Sequence, residues 1–155
     1  MFSQTIENLD SQDKLVGKIH FKKWIFSVYD AELFSQSNSF SWDKPFLLKL
    51  VYSRSLSGKS IAERTVNEIV KQHPQISKTN QKKYYDIFAN IIPDVSNGYI
   101  LYGFIDENGD GQIYTKNNKL LGTITDKKLT KYFFEIWLSD NSSYPLLSKQ
   151  LRGIS

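Results

Sequence analysis

The residues with the clearest potential for chemistry lie in an acidic, glycine-containing stretch, 106–114 (DENGDGQIY). It matches the first half of an EF-hand calcium loop, with oxygen ligands and a glycine at the expected spacing: Asp106, Asn108, Asp110 and Gly111. The last position of such a loop requires a bidentate glutamate, and here it is Asn117, whose amide offers a single uncharged oxygen. Strand-like runs flank the stretch where an EF-hand needs helices, and Asn-Gly and Asp-Gly pairs between such runs are typical of hairpins. The sequence therefore predicts a hairpin turn here and no metal site.

The other residues that could do chemistry are isolated from one another. The two histidines, His20 and His73, fall on different predicted elements, and neither has an acidic pair at metal-ligand spacing. Residues 58–60 (GKS) match the end of a phosphate-binding loop, but Ser53 stands where that loop needs a glycine. The sequence contains no Gly-x-Ser-x-Gly nucleophile elbow and no cysteine. We therefore expect no catalytic residue, no metal and no cofactor.

Charge and hydropathy indicate whether nucleic acid is an expected partner and where in the cell the protein is expected. The net charge of +4 comes from 20 basic and 16 acidic residues, and the basic ones are scattered, so a nucleic-acid partner is not expected. No apolar run approaches the roughly 20 residues of a membrane span. Residues 1–14 lack the basic start and apolar centre of a signal peptide. The expected location is cytoplasmic, unless an export signal is missing from this sequence.

The elements that must position any site are an antiparallel set of strands and several helices. A chain of 155 residues is expected to form one domain, here 15–155, preceded by a flexible N-terminal extension, 1–14. Apolar and β-branched residues recur with the period of a strand in six segments. These are two strands within 15–34 that meet near Lys22 and Lys23, followed by 46–54, 98–105, 112–115 and 120–125.

Helical periodicity appears in two separate pairs of segments. The first pair is 56–72, with Ser57 as N-cap, and 78–91. The second pair follows the last strand, and its helices begin after Asp126 and at Pro145. Strands and helices are thus segregated along the chain and the strands are joined by hairpins. This order predicts an α+β fold in which helices cover one face of an antiparallel sheet.

Several short stretches resemble the bacterial chalcone-isomerase-like proteins, and the resemblance spans 15–153. Those stretches are VYDAELF (28–34), LVYSR (50–54), IPDV (92–95) followed by Gly98, Leu121-Gly122, FEIWL (134–138) and the closing segment 147–153. The resemblance implies an open-faced β-sandwich of chalcone-isomerase type over 15–155. Because bacterial relatives commonly carry an export signal, it also implies a periplasmic location if such a signal has been removed.

The residues that give this superfamily its isomerase activity are not retained. Plant members close a chalcone to a flavanone with an arginine, a threonine, a tyrosine and an asparagine. The last three positions fall near Tyr29, Ile61 and Glu68, and the arginine position falls within 17–21 (GKIHF). Ile61 cannot donate the hydrogen bond that polarises an enone oxygen. The resemblance therefore implies a non-catalytic member of the superfamily. The alternative is an isomerase or lyase that acts on a chalcone-like enone. A second alternative is a protein-interaction domain whose partner is not specified.

Other relatives in the superfamily hold fatty acids between sheet and helices, with arginine and tyrosine on the carboxylate. By that resemblance the candidate ligand-binding residues are Arg54, Tyr52 and Tyr29. Arg54 is the last residue of the strand 46–54 whose side chain is expected on the inward, apolar face. The expected ligand is small and apolar or carboxylated. In the alternative interpretation both tyrosines belong to the core, and Arg54 pairs with a surface acid such as Glu63 or Asp94.

Overall fold

The computed structural model describes residues 6–23 and 26–154, and within them one antiparallel sheet dominates the fold. Its six strands lie in sequence order, so every strand pairs with its neighbours along the chain. The strands are β1 (Leu15–Lys23), β2 (Phe26–Ser35), β3 (Phe46–Tyr52), β4 (Ile100–Ile105), β5 (Gly111–Thr115) and β6 (Lys119–Ile124). The predicted junction of the first two strands near Lys22 and Lys23 agrees with these bounds, and the connection at 24–25 lies outside the described residues.

The helices occur in two pairs, as the periodicity predicted, and two short elements precede them at the start, α1 (Ile6–Leu9) and a 3-10 turn at Gln12–Lys14. The paired helices are α2 (Gly58–Gln72), α3 (Lys78–Ile91), α4 (Lys127–Leu138) and α5 (Pro145–Leu151). Ser57, Ser77 and Asp126 cap α2, α3 and α4, since each side chain accepts a hydrogen bond from a backbone N–H in the first turn. Over the described residues, no helix has both the length and the apolar character required to cross a bilayer.

The two faces of the sheet carry separate apolar clusters. Phe46, Leu48, Leu50 and Tyr52 alternate along β3 and are all buried on the face that α2, α3 and α4 cover. A smaller cluster on the second face is formed by Leu9, Phe34, Leu47, Tyr102 and Phe104. Because β3 lies in the middle of the sheet and is covered on both sides, Leu47 is as fully buried as its neighbours Phe46 and Leu48.

The segment expected to be an N-terminal extension contacts this second face. Residues 1–5 lie outside the described part of the chain, but Leu9 is completely buried. The next residue, Asp10, accepts a hydrogen bond of 2.8 Å from the Tyr102 hydroxyl and forms an ion pair of 3.4 Å with Lys49. Leu9 and Asp10 therefore contact the sheet, and β1 begins at Leu15.

The acidic stretch forms the hairpin between β4 and β5, which confirms the prediction of a turn between strands. The carboxylate of Asp106 accepts hydrogen bonds from the backbone N–H groups of Asn108 and Asp110, at 2.8 and 3.0 Å. The ammonium group of Lys127 donates to the carbonyl of Asn108 and, at 3.3 Å, to the carboxylate of Asp110. In residues 6–23 and 26–154, no group of three or more His, Cys, Asp and Glu side chains is placed to hold a metal ion.

Calcium is accordingly expected to leave the melting temperature unchanged. Ligand that binds only the folded state stabilises it by about 2.7 kcal/mol at a hundredfold excess over Kd, a change that thermal denaturation detects easily in a domain of this size. The measurement is the melting temperature in EDTA and in millimolar calcium, with magnesium as the ionic-strength control. A rise specific to calcium would contradict the hairpin interpretation, because Lys127 would then have to give way to the ion.

Candidate functional site

A cavity of about 590 Å³ lies between the helix-covered face of the sheet, α2, and the segment that joins α4 to α5. This volume is in the range of small-molecule sites, which is about 300–1,000 Å³. Its lining combines an apolar and aromatic wall with a polar ridge. The wall consists of Ile19, Phe21, Tyr29, Tyr52, Leu56, Ile61, Ile136, Trp137, Tyr144 and Leu147. The ridge consists of Ser60, Glu63, Arg64, Asn67, Glu68 and Lys71.

Strand register places three aromatic residues of the wall in one row. Phe21 pairs with Tyr29 across β1 and β2, and Tyr29 pairs with Tyr52 across β2 and β3. Residues directly opposite in neighbouring strands share a face of the sheet, so the three rings meet. The ring centroids of Phe21 and Tyr29 are stacked 4.9 Å apart, and those of Tyr29 and Tyr52 are 5.7 Å apart, edge to face. Trp137 fixes the row from α4, because its indole N–H donates to the Tyr29 hydroxyl at 2.9 Å.

The polar ridge is one face of α2. Ser60, Arg64, Asn67 and Lys71 recur at intervals of three or four residues, which aligns them along the helix. The opposite face of α2 is apolar and packs into the core, with Ala62, Val66 and Ile69 buried. Because that face is buried, the polar ridge lies on the opposite side of α2, where it lines the cavity. Among the described lining residues, all the charged ones belong to α2.

The charge of Glu68 is already compensated. Its carboxylate accepts hydrogen bonds from the Ser143 hydroxyl at 2.6 Å and from the Lys71 ammonium at 2.9 Å. Burial acts to raise the pKa of Glu68, but these two hydrogen bonds, together with the positive charges of Lys71 and Arg64, outweigh it and hold the pKa below its usual range. Arg64, by contrast, makes no hydrogen bond or ion pair with any residue in the described ranges. It is an exposed residue, so its guanidinium lies at the solvent-facing side of the cavity.

The hydroxyls of Tyr29 and Tyr52 remain protonated and are available as hydrogen-bond donors to a ligand. Burial raises the pKa of Tyr29 far above its usual value, even though the hydrogen bond from Trp137 works in the other direction. Burial, reinforced by the neighbouring Tyr29, raises the pKa of Tyr52 in the same way. Neither hydroxyl donates its proton to a residue in 6–23 or 26–154, because the hydrogen bond of Tyr29 is one that it accepts. The cavity therefore offers two neutral donors.

The structure brings together two of the three residues predicted to bind ligand. Tyr29 and Tyr52 both line the cavity, and Tyr52 also belongs to the main core cluster, so the alternative of core tyrosines describes its packing as well. Arg54 lies two residues past the end of β3, is exposed, and is not among the residues that line the cavity. Its role as an anchor stays a prediction.

Arg64 was missed by sequence reasoning, although one signal pointed to it. The positions that fall near the catalytic tyrosine and asparagine of the plant enzymes are Ile61 and Glu68, and both line the cavity. Arg64 stands one turn from each of them on the same helix face. Tyr29 and the segment 17–21, through Ile19 and Phe21, also reach the cavity, so all four of these positions converge on it.

Comparison with known proteins supports the fold. No family model matches the chain. An uncharacterised protein of Haemophilus influenzae is 26% identical over 140 residues, which cover 89% of this chain and 67% of that protein. Among solved structures, a fatty-acid binding protein of Arabidopsis thaliana, AtFAP1, superimposes with a TM-score of 0.63 at 8% identity, covering 91% of this chain and 90% of the other. The fold is thus α+β, with a six-stranded antiparallel sheet and helices in the chalcone-isomerase arrangement, as the sequence predicted.

Proposed function

We propose that the protein is a non-catalytic binder of a fatty-acid-like ligand, held in the cavity with its carboxylate at Arg64. The observation that carries this proposal is a guanidinium without a hydrogen bond or ion pair among the described residues, at the solvent-facing side of a largely apolar cavity. A guanidinium binds a carboxylate through two parallel hydrogen bonds, and an apolar wall accommodates the alkyl chain. An amphipathic acid satisfies both requirements at once.

The electrostatics favour Tyr29 as the second contact of the carboxylate. Tyr29 and Arg64 line the same cavity, and the charge of Arg64 acts on the Tyr29 hydroxyl. That hydroxyl retains a proton to donate, because its bond with Trp137 is one that it accepts. The alkyl chain would then lie against Ile19, Phe21 and Leu147 of the wall. The likeness of the fold to AtFAP1, itself described as a fatty-acid binding protein, supports the same class of ligand.

The lining of the cavity also supports binding over isomerisation. Ile61 occupies the position near the catalytic tyrosine of the plant enzymes and has no polar atom in its side chain. Tyr29 and Tyr52 are donors with raised pKa values, so they do not serve as bases near neutral pH. We find no nucleophile paired with a base among the cavity-lining residues that the structure describes.

Native mass spectrometry of freshly purified protein tests the proposal. We expect a population whose excess mass equals that of a fatty acid, and lipid extraction should release the same compound. The matched control is Ile61→Trp, which fills the cavity from α2 and should remove the bound species while the chain remains folded by circular dichroism. If the protein carries no lipid, and octadecanoic acid added in excess does not bind either, the proposed function is wrong.

A further inference from the structure

The hydroxyl of Tyr52 is a buried polar group for which the described part of the chain provides no hydrogen-bond partner. The residue is 5% exposed, it lines the cavity, and its hydroxyl forms no hydrogen bond with any residue in 6–23 or 26–154. Its ring meets that of Tyr29 edge to face, at 5.7 Å between centroids. Buried hydroxyls are nearly always hydrogen-bonded, because an unsatisfied donor costs about 1–3 kcal/mol. A donor held in this state inside a cavity indicates that the occupant supplies the acceptor.

The Tyr52 hydroxyl and the Arg64 guanidinium are two polar groups at different places in the same cavity. Arg64 is exposed on α2, whereas Tyr52 is buried on β3. A carboxylate bound by Arg64 and Tyr29 at the solvent-facing side therefore leaves the Tyr52 donor to be satisfied by a different part of the ligand.

We propose that the ligand is an oxygenated fatty acid, with a keto or similar acceptor oxygen on its chain that receives the hydrogen bond of Tyr52. This inference rests on the proposed function and specifies its substrate class. An unmodified alkyl chain against Tyr52 would leave the buried hydroxyl unpaired, and sites built to hydrogen-bond a substrate group discriminate strongly against analogues that lack it. Tyr52 thus selects among fatty acids, while Arg64 and Tyr29 bind the carboxylate that all of them share.

The test compares octadecanoic acid with keto-octadecanoic acids whose ketone is placed at successive carbons along the chain. Each is titrated by displacement of a fluorescent fatty acid from wild type and from Tyr52→Phe, which removes only the hydroxyl. Tyr114→Phe is the matched control, because Tyr114 lies against the second face of the sheet and its hydroxyl donates to Gln112. Circular dichroism confirms that all variants are folded.

We expect at least one keto isomer to bind wild type on the order of tenfold more tightly than octadecanoic acid, the factor that one satisfied buried donor provides. Tyr52→Phe should abolish this preference, so that it binds the keto isomers no more tightly than octadecanoic acid, and Tyr114→Phe should keep the preference of wild type. If octadecanoic acid binds and no isomer binds better, or if the preference survives in Tyr52→Phe, the inference is wrong and the proposed function stands. If none of the acids binds, both are wrong.

Discussion

Replacement of Arg64 with alanine should weaken the binding of a fluorescent fatty acid by about 1.5–3 kcal/mol, which is roughly 10- to 150-fold in Kd. The reason is that a charge-assisted, bidentate hydrogen bond is lost while the apolar wall remains. Arg64→Lys should recover only part of the affinity, because an ammonium keeps the charge and loses the planar geometry. The measurement is a fluorescence titration of each variant at constant ionic strength.

The matched control is Lys59→Ala, which removes an exposed cation from the first turn of the same helix, outside the cavity lining. Its affinity should equal that of wild type. The sequence-based hypothesis assigns the anchor to Arg54, so Arg54→Ala belongs in the same series. A large loss in Arg54→Ala with no loss in Arg64→Ala would show that the strand arginine binds the carboxylate and that the polar ridge of α2 does not.

Element boundaries were largely predictable because local patterns determine them. The helix predicted over 78–91 is α3, since Ser77 caps its start and Pro93 follows its end. The strand predicted over 46–54 ends earlier, at Tyr52. The physical reason is a tertiary contact that no local pattern encodes: Leu56 forms a β-bridge with Val95, which draws the chain out of the strand direction.

The same contact explains why Arg54 does not continue the inward parity of β3. Asp94, adjacent to Val95, accepts a hydrogen bond of 2.8 Å from the backbone N–H of Gly58 at the start of α2. The chain between β3 and α2 is therefore held by the segment that follows α3, and alternation of side chains stops at Tyr52. Residues 53 and 54 form a bend, so strand alternation alone does not determine where the Arg54 side chain points.

The cavity itself could not be derived from sequence periodicity. The apolar stripe of α2 predicts which face packs on the sheet, but a polar helix face usually contacts solvent. Here the loop between α4 and α5 encloses that face, and the hydrogen bond between Ser143 and Glu68 joins residues 75 positions apart. Long-range closure of this kind determines that Arg64 and its neighbours line a cavity. Tyr29 and Tyr52, which the resemblance named as candidates, do line the cavity, but the strand register that brings their rings together was not predicted.

Phe134 holds the helices to the sheet beneath this site. It is completely buried on α4, and its ring meets that of Phe46 edge to face, with centroids 5.0 Å apart. The ring occupies space left by Gly103 on β4, where an added Cβ would lie 3.0 Å from a ring carbon of Phe134. The absence of a side chain at Gly103 therefore permits the ring of Phe134 to approach the sheet closely.

Phe134→Ala is therefore expected to destabilise the protein by about 3–5 kcal/mol, from lost apolar burial and from the cavity left against Gly103. At about 2–4 °C per kcal/mol for a chain of this size, the melting temperature should fall by roughly 6–20 °C. Leu146→Ala is the control, because Leu146 is 79% exposed and its removal should change stability by no more than about 0.5 kcal/mol. Urea denaturation of both variants measures the difference. Equal urea midpoints for Phe134→Ala and Leu146→Ala would contradict the packing of α4 on the sheet through Phe134. The position of Trp137, which lines the cavity from the same helix, would then need another explanation.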